Sequence, residues 1–213
     1  MSHHKYIFDK GEFIRDFDGM YRDLEDPHGQ KLSSNNLSHK IYLKILQEVI
    51  KNKKGNKWYD FGCGLGYFTK KIGESFDKVS ITGIDISKSV IDKINDNSNN
   101  YLCGDIKDEL FIQKLDNSEI ISFFETLYYF KNDEIFFVKE NIDKILKNGG
   151  FLIITYHLPK EMNYGDYVNK LSDLENLFEN YKLVYGSDFI DNHSEIYDGN
   201  SFGRHLFTIF QKI

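Results

Sequence analysis

The apolar positions of this chain fall into short runs of two periods. Residues 57–61, KWYDF, read as a buried strand that ends at a glycine-rich loop. The spacing in 68–76, FTKKIGESF, predicts a helix. Residues 79–86, VSITGIDI, are β-branched and predict a second strand ending at Asp85. Ser87 is placed to cap a helix with Val90, Ile91 and Ile94 on one face. NYLCGDI predicts a third strand ending near Asp105, and EIISFFE a fourth ending near Glu125. Ile135, Val138, Ile142, Ile145 and Leu146 mark a helix over 133–147, stopped by Gly149 and Gly150. GFLIITYH, 150–157, is the fifth strand. Leu171, Leu174, Leu177 and Phe178 mark another helix. YKLVYGSDFI and RHLFTIFQKI then predict two strands with no helix between them. Upstream, Leu37, Ile41, Ile45 and Val49 form one row of a packing helix.

Strand–helix alternation builds a parallel sheet covered on both faces. The last two strands lack a crossover helix and predict a hairpin, so the final strand is antiparallel. In such sheets ligands bind outside the carboxyl ends of the strands. Four successive predicted strands end in an acid: Asp60, Asp85, Asp105 and Glu125.

Composition narrows the classes. With 213 residues, 40% of them hydrophobic, the chain suits one domain, 1–213, with 1–36 as an N-terminal lid or cap. Lys and Arg total 27 against 33 for Asp and Glu, a net charge of −6 that disfavours a nucleic-acid partner. No apolar run approaches the ~20 residues of a membrane span, and no secretory h-region opens the chain. Two cysteines make neither a disulfide framework nor a zinc cluster, so a cytoplasmic, reduced setting and no metal are expected.

The glycine loop carries the candidate chemistry. DFGCGLG places Gly62, Gly64 and Gly66 at alternate positions after Asp60. A triphosphate loop needs a Lys-Ser/Thr pair after its last glycine, and Tyr67 and Phe68 stand there instead. A dinucleotide fingerprint needs its third glycine where Tyr67 lies. The spacing suits a ligand with a small charged tail. Asp85, about 20 residues on, is placed to accept the hydroxyls of a ribose.

At this point the chain resembles the class I S-adenosylmethionine-dependent methyltransferases. YDFGCGLG, GIDIS, CGDI, ISFFETLYYF and LKNGGFLIITYH occur in that family's order over 57–157. The resemblance implies a Rossmann-like, doubly wound α/β fold with a mostly parallel seven-stranded sheet and an antiparallel last strand. It implies that Gly62, Gly64 and Gly66 let the backbone approach the methionine part of S-adenosylmethionine, and that Asp60 orients the loop. Asp85 and Ile86 follow as ribose-side residues, Asp105 and Ile106 as adenine contacts, and Glu125 as the border of donor and acceptor. FDGMYRDLEDPHG and ETLYYF further resemble the NodS-like branch of small-molecule methyltransferases, with His28 where that branch usually has Trp.

The expected reaction is methyl transfer to an N or O atom of a small molecule, a sugar or phosphorylated metabolite of surface-glycan metabolism. The alternatives are a methyltransferase-like module that holds the cofactor without turnover, and a nicotinamide oxidoreductase. The acceptor-side candidates are His157, Glu125 and Tyr128 for catalysis and Arg22, His28, Tyr129 and Arg204 for binding. His157 and Glu125 are rival bases, since an imidazole or a carboxylate can take a proton from the acceptor. Only Arg15, Arg22 and Arg204 are arginines, and a guanidinium fork grips carboxylate or phosphate. Arg204 is therefore expected to hold an anionic acceptor. His205 and His193 read as structural or exposed. The assembly is expected to be a monomer or a homodimer.

Overall fold

The computed structural model describes residues 3–10, 12–50, 56–76, 78–158, 167–192 and 202–213. Seven strands form one mixed sheet: β1 (Asn56–Phe61), β2 (Val79–Asp85), β3 (Asn100–Cys103), β4 (Ser118–Phe124), β5 (Leu146–Leu158), β6 (Tyr181–Asn192) and β7 (Phe202–Lys212). The chain gathers into two compact units, Met1–Asp105 and Ile106–Ile213.

In the first unit the strand order is β3-β2-β1, all parallel. Between β1 and β2 the chain forms the helix Tyr67–Ser75, which buries Thr69 and Ile72. Ser87 caps the next helix, Lys88–Ile91, by accepting from the Val90 amide at 3.1 Å. That helix is one turn long, shorter than the apolar spacing through Ile94 implies. The stretch Asn95–Asp96–Asn97–Ser98 follows it, and residues of that kind compete for backbone groups outside helices.

In the second unit the order is β4-β5-β7-β6. β4 and β5 are parallel, while β7 runs antiparallel to both β5 and β6. The terminal hairpin thus inserts its second strand beside β5. Leu152, Ile153 and Ile154 at the centre of β5 are fully buried. A strand covered on both faces reads as a continuous apolar run, and each such side chain contributes about 1.5–3 kcal/mol. The helix Ile135–Ile145 hands over directly to β5 at Leu146. The two glycines expected to stop it lie inside the strand, where Gly149 takes a φ of +73°. The one-turn helix Glu109–Ile112, capped by Asp108, carries too short an apolar pattern to be read from sequence.

The helix Leu37–Ile50 has the expected bounds and a different buried face. Its buried row is Ser38, Tyr42, Leu46 and Ile50, while Leu37 and Ile41 are exposed. The core takes the row that carries the large Tyr42 ring, one residue along from the all-aliphatic row. No described helix is long and apolar enough to cross a membrane.

Candidate active site

In the first unit, β1 ends in Asp60 and the chain turns at once. Gly62, Gly64 and Gly66 adopt φ of 76°, 53° and 73°, a region open to glycine and costly for other residues. The Gly62 and Cys63 amides donate to the Ile84 carbonyl at 2.7 and 3.1 Å, which ties the loop to the end of β2. Asp60 is buried and accepts from the Thr69 hydroxyl at 2.5 Å. It thereby links the end of β1 to the helix that follows the loop.

Asp85 closes the loop from the other side. One carboxylate oxygen accepts from the Gly64 amide and the other from the Ser87 amide, each at 2.9 Å. Burial pushes its carboxyl up to about 6, with the Ser87 and Gly64 amides pulling in the opposite direction. Ile86 beside it is half exposed, an apolar surface next to the carboxylate. Asp105 is half-buried after β3. Ile106 is buried, and its carbonyl accepts from the Asn141 side chain at 2.8 Å.

Three glycines serve close packing, and two of them, Gly64 and Gly66, also turn the chain. A Cβ on Gly66 would lie 2.8 Å from the Tyr101 ring, and one on Gly83 2.7 Å from the same ring. Tyr101 is fixed by its hydroxyl on Asp96 at 2.8 Å. A Cβ on Gly64 would lie 2.2 Å from the Gln30 side-chain amide.

Gln30 was not among the expected site residues. Its carbonyl accepts from the Leu65 amide at 2.7 Å, so the N-terminal segment reaches the glycine loop. Asp26 holds this segment by accepting from the Gln30 and Lys31 amides at 2.8 and 3.0 Å. Asp18 does the same beside Asp85, accepting from the Ser89 amide at 2.8 Å and the Ser87 hydroxyl at 3.1 Å. The reach of Gln30 over 35 residues to the loop carries no signal in the sequence.

The second unit holds another group. The fifth strand ends in His157, and antiparallel pairing sets it opposite His205. The two rings lie 4.7 Å apart between centroids, with His157 Nδ1 and His205 Nε2 at 3.4 Å. His205 Nδ1 lies 3.3 Å from Glu125 Oε1. Glu125 takes a φ of +53°, and its amide donates to the Thr155 hydroxyl at 2.8 Å. Burial raises the Glu125 carboxyl, but the His205 hydrogen bond and the charges of His205 and His157 outweigh it, so the net direction is down. Among the described residues, this is the group whose ligand atoms lie close enough, within 4.8 Å, to hold a metal ion. Sequence reading named Glu125 and His157 as separate rivals and missed His205, because strand register is not legible in one sequence.

An aromatic cluster lies in the same unit. Tyr128 and Tyr129 follow β4 in a one-turn 3₁₀ helix, with ring centroids 4.6 Å apart. Tyr156 meets Tyr128 at 5.6 Å, and Tyr167 meets Tyr156 at 6.2 Å.

The expected anion grips are engaged elsewhere. Arg204 lays its fork on Asp188: Nε donates to Oδ1 at 2.7 Å and the second nitrogen to Oδ2. The two residues are diagonal neighbours across the β6–β7 pairing, within reach of a long side chain. That pairing holds the Asp188 carboxyl below its usual value. Arg22 is exposed, with its Nε on the neighbouring Asp23 at 3.3 Å. His28 packs against His3 and Tyr21, with centroids at 5.0 and 6.1 Å. Burial, then the charges of His3 and His4, push its imidazole down to about 3, so it is neutral. His193 and most of the loop over 191–203 lie outside the described residues.

A glycine loop after β1, an acid ending β2 and an antiparallel β7 define the architecture of the class I S-adenosylmethionine-dependent methyltransferases. A family model described as "Methyltransferase domain" matches residues 59–152, from the end of β1 into β5. Over that stretch and in its fold the chain is similar to that class, whose methyl donor is S-adenosylmethionine. The solved N-methyltransferase NodS from Bradyrhizobium japonicum WM9, in complex with S-adenosyl-l-homocysteine, superposes with a TM-score of 0.68 at 16% identity. The match covers 91% of this chain and 95% of that one. TehB from Haemophilus influenzae gives a TM-score of 0.65 at 14% identity, over 89% of this chain and 67% of that one. A malonyl-[acyl-carrier protein] O-methyltransferase from Priestia megaterium is 36% identical over 59 residues. That stretch is 26% of this chain and 21% of the relative's length.

Proposed function

We propose that this protein transfers a methyl group from S-adenosylmethionine to an N or O atom of a small molecule. The observation that carries the reading is the Asp85 carboxylate bridging the Gly64 and Ser87 amides, at the end of β2 and against a loop of three left-handed glycines. In this reading the loop backbone receives the methionine tail, Asp85 accepts from the ribose hydroxyls, and Ile86, Asp105 and Ile106 form the adenine side. Asp60 sets the loop through Thr69.

Methyl transfer is an in-line displacement at a sulfonium, and alignment in a water-poor site supplies most of the catalysis. The acceptor side is assigned to the group of Glu125, His157 and His205, with Tyr128 and Tyr129 as walls. Half-buried tyrosine rings suit a ring-shaped polar acceptor such as a sugar. A phosphorylated acceptor finds less support, since the Arg204 fork is held by Asp188.

The test is a metabolite screen with radiolabelled methyl donor and purified protein. Label transferred to a small neutral or amine-bearing compound supports the reading. Donor binding without transfer to any class of acceptor would replace it with a cofactor-holding module.

A further inference from the structure

The group formed by Glu125, His157 and His205 has the donor set of a metal centre: two imidazoles and one carboxylate, each on a different strand or strand end. Its spacings are long for hydrogen bonds, which favour 2.7–3.2 Å for nitrogen donors. Glu125 Oε1 to His205 Nδ1 is 3.3 Å, and His157 Nδ1 to His205 Nε2 is 3.4 Å. The two contacts use opposite nitrogens of the His205 ring, so one ion keeps only one of them; a tetrahedral Zn²⁺ with bonds of about 2.0–2.1 Å sets its ligand atoms roughly 3.3–3.4 Å apart, the separation in the pair it keeps. The ligand atoms here span no more than 4.8 Å, which rotation of an imidazole about its side-chain bonds can close.

The surroundings hold the ligands in place. Glu125 keeps a left-handed backbone, a conformation that costs a non-glycine residue on the order of 1–3 kcal/mol. Its amide is anchored on Thr155, one strand residue from Tyr156 and two from His157. The two imidazoles are fixed by the β5–β7 register, and Phe189 stacks on the His205 ring at 5.8 Å. Rigid, strand-borne ligands with anchored supports are what a metal site requires. Two imidazoles and one carboxylate make the three-ligand set of open zinc sites, which keep a further position for water or substrate.

We propose that Glu125, His157 and His205 bind one divalent transition-metal ion of the Zn²⁺ class and leave a coordination position open. The ion site stands on the second unit's own residues. Only its use, presenting an acceptor oxygen or nitrogen at the open position, rests on the methyl transfer proposed above.

The experiment uses the full chain stripped with a chelator. Every sample carries His3→Ala and His4→Ala, because those stacked imidazoles near the N-terminus offer a competing Zn²⁺ ligand pair. ZnCl₂ is titrated against a chromophoric chelator, and CoCl₂ is followed by visible absorption. The expected result is one equivalent bound, with Co²⁺ bands of a four- or five-coordinate site. His157→Asn and Glu125→Gln should each weaken Zn²⁺ by more than the 10–100-fold that loss of an outer-shell partner costs. S-adenosylhomocysteine binding by the variants serves as the check that they are folded. It also separates the two ideas, since the donor site can fail while the ion binds, and the reverse. Absence of stoichiometric binding in the parent overturns the proposal. So does equal Zn²⁺ affinity in parent and variants. A parent that binds no ion, and whose pH–rate limb vanishes in His157→Asn, would make the trio a proton relay instead.

Discussion

His157 and His205 face each other across the β5–β7 pairing with their ring centroids 4.7 Å apart, and Glu125 reaches the second ring from the end of β4. Sequence reading expects metal-independent turnover, because no ligand cluster is visible along the chain. The metal site proposed for this trio predicts the opposite. Turnover should fall on treatment with EDTA and return with added Zn²⁺ or Co²⁺. Full turnover in EDTA would restore the metal-independent view.

Asp85 gives the donor site a pH dependence. Its carboxyl is raised to about 6 by burial, and the ionised form is the better acceptor for ribose hydroxyls. Donor binding should therefore favour the ionised form and lower that value in the complex. As pH falls below about 6 the free protein gains a proton that the complex excludes. Affinity for S-adenosylhomocysteine should then fall, by at most about tenfold per pH unit, and be flat above pH 7. Calorimetry between pH 5 and 8 checks this; an affinity constant across that range would separate Asp85 from the ligand.

Gly64 and Gln30 are coupled. Gly64→Ala meets both a φ of +53° and the Gln30 amide 2.2 Å from the new methyl. The strained backbone alone costs about 1–3 kcal/mol, or roughly 2–10 °C in Tm for a chain of this size. Gln30→Ala removes the collision, so the double variant should be more stable than the sum of the two single effects. Strict additivity in thermal melts would show that Gln30 does not lie on the loop.

Arg204, expected to hold an anionic acceptor, pairs with Asp188. With its fork on Asp188, Arg204→Lys should leave the acceptor KM unchanged and shift Tm within experimental scatter, as for other exposed pairs. A raised KM with unchanged kcat would return Arg204 to the acceptor site.

The parts legible in the sequence were those set by local chemistry. The order of the seven strands along the chain, Ser87 as a cap, and the glycines and acids at the strand ends are set by residues a few positions away. What escaped depends on register and on long reach. Helical spacing over Leu37–Ile50 picked the row of Leu37, Ile41, Ile45 and Val49, and tertiary packing chose the row with Tyr42 and Leu46. The opposition of His157 and His205, the Arg204–Asp188 diagonal and the contact of Gln30 with Leu65 are all set by pairings that no single segment encodes.

The central claim is that the loop and Asp85 hold S-adenosylmethionine. Isothermal titration of S-adenosylhomocysteine into the parent and into Asp85→Ala tests it most directly. The account predicts one site in the parent, and a loss in the variant of about 1.5–3 kcal/mol, roughly 10–150-fold in Kd, as for hydrogen bonds to a charged group. A parent that takes up no ligand, or a folded Asp85→Ala variant with unchanged affinity, would contradict it.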